Sequence, residues 1–66
     1  MIGDRIKAAR LAKGMSGDDL ARAIGASRQT VSNWERGVYA PSCDNIFALA
    51  DTLGVTPETL MKEETT

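Results

Sequence analysis

The chain has no histidine and a single cysteine, Cys43, among its 66 residues. One cysteine cannot form an internal disulfide, and without histidine it cannot assemble a zinc site. Histidine is also the side chain whose ordinary pKa suits proton exchange near neutral pH. With no such base, Cys43 has nothing to activate it as a nucleophile, so an enzyme is excluded. Its plainest role is a small half-buried residue. No apolar run approaches the roughly 18 residues that a membrane-spanning helix needs. The N-terminus alternates charged and apolar residues, unlike a signal peptide. A chain of this length buries only about 60% of the surface its unfolded form exposes. That leaves little room for a substrate pocket. We therefore expect one cytoplasmic domain over residues 1–66, with no cofactor, metal or small-molecule ligand and no membrane partner.

Charge is also scarce in sum: the formal net charge is -1. Its distribution is uneven. Residues 1–36 carry seven basic side chains against four acidic ones, a balance of +3. Residues 37–66 carry Lys62 against five acids, a balance of -4. A basic half and an acidic half suit one face for phosphates and another for solvent or a partner.

What the chain does have is helical periodicity throughout, with no window that alternates like a strand. Five helices are predicted. The first spans about 2–13, with Ile2, Ile6, Ala9 and Arg10 on one stripe and Gly14 as its stop. Ser16 caps the second, where Ser16 and Asp19 form an S-x-x-D capping box, and Asp18 and Asp19 suit the positive end of the dipole. Gly25 ends it, with the positive backbone angle that a side chain would oppose. Ser27 caps the third, over about 28–36. Ser42 caps the fourth, over about 43–53, with Ile46, Leu49, Ala50 and Leu53 at helical spacing. Thr56, Pro57 and Glu58 open the fifth as a cap, a first-position proline and an acid.

Residues 16–36 read as two short helices joined by a tight turn. Ala21 allows close backbone approach where the helices cross, and Gly25 supplies the turn four residues later. Leu20, Ile24, Val31 and Trp34 clamp both helices to the core. The outer face of the third helix is left carrying Arg28, Gln29, Ser32 and Asn33, and Ser27 at its start can donate to a phosphate. The major groove of DNA admits one α-helix. Amides there can pair bidentately with adenine, and arginine with guanine or phosphate. These are the residue types of a base-reading helix.

The chain resembles the Cro and phage-repressor type (XRE-like) of helix-turn-helix domain from Ile2 to about Leu60. The residues that carry the likeness are Gly3-Asp4-Arg5-Ile6 and Arg10, then Leu20-Ala21, Ile24-Gly25 and Ser27. The run Val31-Ser32-Asn33-Trp34-Glu35-Arg36-Gly37 with Pro41 is specific to that family. Leu49-Ala50, Leu53-Gly54-Val55 and Pro57-Glu58-Thr59-Leu60 complete it. The resemblance implies an all-α, five-helix, lambda-repressor-like fold and a transcriptional regulator, a repressor binding double-stranded DNA as a homodimer on a palindromic operator. It places Ser27, Arg28, Gln29, Ser32 and Asn33 at bases and nearby phosphates, with Arg36 and the loop through Val38 and Tyr39 along the backbone. It also implies an ion pair between Arg10 and Glu35. Such a pair costs about 3–5 kcal/mol to break when fully buried, and is worth under about 1 kcal/mol at the surface.

Two positions depart from the family pattern. Gly17 stands where the family usually has a glutamine that touches a phosphate, so only its backbone N–H is available at the helix terminus. Val38-Tyr39-Ala40 stand where basic loop residues are common. Tyr39 either donates to a phosphate or covers the core. Asp18 and Asp19 would repel phosphates if they faced DNA. These departures and the acidic second half leave a second reading open: a protein-interaction module on the same scaffold, such as an antitoxin-like partner.

Overall fold

A computed structural model describes residues 2–61. Its five helices are α1 (Ile2–Ala12), α2 (Gly17–Ile24), α3 (Arg28–Arg36), α4 (Cys43–Leu53) and α5 (Pro57–Met61). Each predicted helix is present, and α1 stops one residue short of Lys13. No helix among the described residues is long and apolar enough to cross a membrane.

Local chemistry sets the helix ends. Ser16 is extended, its hydroxyl accepts the Asp19 N–H at 3.0 Å, and the Asp19 carboxylate accepts the Ser16 N–H at 3.1 Å. Both halves of the capping box are therefore made. Met15, just before the cap, packs against the core that contains Leu20, as a hydrophobic staple does. Ser27 and Ser42 cap α3 and α4 by accepting from Thr30 and Asn45. At the far end of α2, Gly25 is left-handed, with φ 74°. This lets the Ala26 N–H return to the Ala21 carbonyl at 2.9 Å. A side chain at Gly25 would oppose that turn, and the turn aims α3.

The core is apolar and drawn from all five helices. Ile6, Leu20, Val31, Trp34, Leu49 and Leu60 are the largest fully buried side chains, and no polar side chain among the described residues is buried. α1 packs on α3, α4 and α5; α2 packs on α3 and α4; and α4 packs on α5. α3 is thereby held from both sides, by α1 and α2.

Cys43 is exposed rather than half-buried. The start of α4 reaches past the core, with residues 42–44 all exposed, so inward packing begins at Asn45 and Ile46.

The tightest approach lies between α1 and α3. A Cβ on Gly3 would collide with the Trp34 backbone carbonyl oxygen and come within 2.8 Å of that of Glu35. The start of α1 thus meets the end of α3, positive dipole end against negative. Alanine is the better helix former by about 1 kcal/mol, yet Gly3→Ala should destabilise the protein by a net of about 1–3 kcal/mol, as overpacking does. Urea unfolding checks this, and a variant as stable as the parent refutes the close approach.

Asp19 generates a second expectation. Its pKa lies below the ordinary carboxylate value, chiefly because the Ser16 backbone N–H bonds the ionised form, with the Ser16 hydroxyl adding to this. A lowered folded pKa gives stability that is complete above the unfolded value of about 4 and lost as pH falls through the folded one. The stability difference between the parent and Asp19→Ala should therefore shrink below about pH 4. Thermal melts at stepped pH test it, and a difference independent of pH contradicts it.

Candidate nucleic-acid interface

The buried Val31 and Trp34 fix the rotation of α3, being 1% and 2% exposed. Ala21, 3% exposed, lets α2 come close beside it. What remains outward is Arg28 and Gln29, both exposed, and Ser32 and Asn33, both half-buried. Ser27 lies exposed at the start of the helix and Arg36 exposed at its end. The structure thus brings Ser27, Arg28, Gln29, Ser32, Asn33 and Arg36 onto one short helix and its cap, with the outer face open.

A groove of about 250 Å³ runs between the start of α2 and α3, lined by Ser16, Gly17, Arg28 and Ser32, with Arg10 and Glu35 at its inner end. Gly17 is the first residue of α2, and a Cβ there would meet nothing within 4 Å. Space for the missing glutamine is therefore open. Of the two neighbouring acids, Asp19 turns its carboxylate back to Ser16, and Asp18 lies 3.8 Å from Arg22.

The Ser27 hydroxyl is already engaged. It accepts from the Thr30 N–H at 3.1 Å and shares a 2.9 Å hydrogen bond with the Thr30 hydroxyl. Its proton is free for a phosphate when Thr30 is the donor between the two. Thr30 went unnoticed in the sequence, although the S-x-x-T spacing signals it and recurs between Thr56 and Thr59.

Tyr39 makes a contact that the residues alone did not point to. Gly37 closes α3 in the left-handed conformation, and the Val38 N–H returns to the Asn33 carbonyl at 2.9 Å. The chain reverses, and Tyr39 lands beside α3. Its hydroxyl accepts from Asn33 Nδ2 at 3.3 Å. Asn33 Oδ1 in turn accepts from Gln29 Nε2 at 3.2 Å. Tyr39, 49% exposed, borders a cleft of about 280 Å³ with Ile2, Gly3 and Trp34.

Arg10 and Glu35 form the expected pair. Arg10 Nε donates to Glu35 Oε2 at 2.7 Å and Nη2 to Oε1 at 3.1 Å, a bidentate geometry. A third bond, Nη1 to the Met15 carbonyl at 2.9 Å, reaches the turn before α2. The two side chains are 12% and 11% exposed, between the buried and surface cases. Hydrogen bonding to Glu35 raises the Arg10 pKa above its ordinary value, against the opposing effect of burial. Arg10 thus ties α1, the entry to α2 and the end of α3 together.

An all-helical scaffold that presents the free outer face of the second of two turn-linked helices defines a helix-turn-helix domain. Residues 6–60 match a family model described as helix-turn-helix. The repressor protein C2 of Salmonella phage P22 is 32% identical over 62 residues, which is 94% of this chain but 29% of that protein. The crystal structure of the P22 c2 repressor with a synthetic operator superposes with a TM-score of 0.90, at 31% identity, covering 97% of each chain. SinR of Bacillus subtilis in complex with DNA superposes with a TM-score of 0.89, at 35% identity, covering 94% of this chain and all of that one. The chain belongs to the XRE-type helix-turn-helix family, and the relatives it matches are named as repressors and transcriptional regulators, not as enzymes.

Hydrogen bonds to charged groups contribute about 1.5–3 kcal/mol each when partly shielded. A double-mutant cycle with Arg10→Met and Glu35→Gln should therefore show a coupling of about 1–3 kcal/mol in urea unfolding. Coupling below about 0.5 kcal/mol would reduce the pair to a surface contact.

Proposed function

We propose that the chain is a sequence-specific, double-stranded-DNA-binding module of a cytoplasmic transcriptional regulator, a repressor that acts as a homodimer on a palindromic operator. The observation that carries this reading is the open outer face of α3, with Arg28, Gln29, Ser32 and Asn33 on a helix whose inner face is locked in the core. Gln29 and Asn33 supply paired donors and acceptors for base edges, and Arg28 supplies a fork for guanine or phosphate. Ser27, Arg36, Tyr39 and the Gly17 N–H serve the phosphates. The C2 repressor's name and the DNA complexes of c2 and SinR support the same reading.

A dimer follows from scale. One helix of nine residues reads only a few base pairs. Two copies one helical turn apart, about 34–36 Å, read enough to select a site. The absent glutamine at Gly17 and the uncharged Val38-Tyr39-Ala40 loop leave each monomer with few phosphate contacts, which increases reliance on the second copy.

Selection from a random duplex library should yield two symmetric half-sites at that spacing. On the selected site, Gln29→Ala should lose about 1–3 kcal/mol of discrimination at one base pair. Arg36→Ala should weaken binding to selected and random duplexes alike, and reduce the dependence of log K on log salt by about one. Equal losses on both duplexes for Gln29→Ala would remove it from base reading. No binding to any duplex at low salt would leave the protein-interaction reading instead.

A further inference from the structure

Resting on that DNA-binding reading, we propose that Tyr39 is a positioning residue for sequence choice: by engaging a phosphate it fixes which way the Gln29 and Asn33 amides point. The three side chains form one linear chain, Gln29 Nε2 to Asn33 Oδ1 at 3.2 Å and Asn33 Nδ2 to the Tyr39 hydroxyl at 3.3 Å. Asn33 is also held by its backbone, since its carbonyl accepts the Val38 N–H. Tyr39 lines one cleft together with Ile2, Gly3 and Trp34. The backbone thus fixes the Asn33 end of the link, and what stays free is the direction of the chain.

That direction carries the information. An amide has a donor end and an acceptor end of nearly the same shape, and a tyrosine hydroxyl can do either job. Rotating both amides by half a turn would keep every link and reverse every proton. The two arrangements present opposite ends of the Gln29 amide to the groove. Adenine offers an acceptor at N7 beside a donor at N6, so the order of donor and acceptor on the side chain matters for the match.

A phosphate breaks the tie. Phosphate oxygens only accept, so a Tyr39 hydroxyl that donates its proton to one can only accept from Asn33. Asn33 must then turn Nδ2 toward Tyr39 and Oδ1 toward Gln29. Gln29 must turn Nε2 toward Asn33, leaving its second N–H and its carbonyl oxygen for a base. Phosphate engagement at the loop thus sets the polarity of base reading on the helix. Tyr39 contributes to specificity through Asn33 without touching a base.

The test is Tyr39→Phe, which removes the hydroxyl and keeps the ring. On the selected operator, discrimination at the base pair read by Gln29 should fall by about fivefold or more, while affinity for random duplex falls much less. In an Asn33→Ala background the same substitution should leave discrimination unchanged. Equal losses on operator and random duplex would make Tyr39 a phosphate contact only and overturn the inference. So would unchanged discrimination. A parent chain that prefers no duplex sequence would overturn the underlying DNA reading instead, which separates the two failures.

Discussion

Burial of the inner face of α3 is the constraint on which everything else depends. Trp34 and Val31 sit in an apolar core supplied by every other helix. A large aromatic ring buried in that core holds the rotation of a nine-residue helix. A helix held in this way presents the same residues outward. Under the proposed function, that rigidity would hold Gln29 and Asn33 in place for a donor and an acceptor on one base edge.

Polar interactions do a different job: they join pieces that the core leaves separate. Arg10 bridges α1, the turn before α2 and the end of α3 with one guanidinium. Its planar fork fits the Glu35 carboxylate while a third N–H reaches a backbone carbonyl, which the point charge of a lysine could not reproduce. The chain Gln29–Asn33–Tyr39 similarly ties the helix face to the loop after it. One network lies beneath α3 and one along its outer side, so the helix is held in register from both directions.

Much of the fold was legible in the residues. Ser16, Ser27, Ser42 and Thr56 each act through the residue three positions further on. Such signals survive without tertiary context, and among the described residues the helix ends they mark are observed to within a residue. The outward placement of Gln29 and Asn33 was legible too, because Val31 and Trp34 could only face inward together. Less accessible was Gly3, whose lack of a side chain lets two backbones approach across α1 and α3. Cys43 was misjudged because helical spacing does not reveal where a helix outruns its core. Tyr39 was left between two roles because its partner, Asn33, lies across a helix end.

The sequence by itself determined the number of helices, their ends and the face each one turns inward, since caps, glycine stops and apolar spacing are local properties. Tertiary structure alone decided how those helices meet: the carbonyls that crowd Gly3, the bidentate closure of Arg10 on Glu35 across 25 positions, and the return of Tyr39 over Asn33. Contacts of that kind depend on the angles at which rigid pieces pack. Those angles come from the whole core settling at once, and no short stretch of residues encodes them.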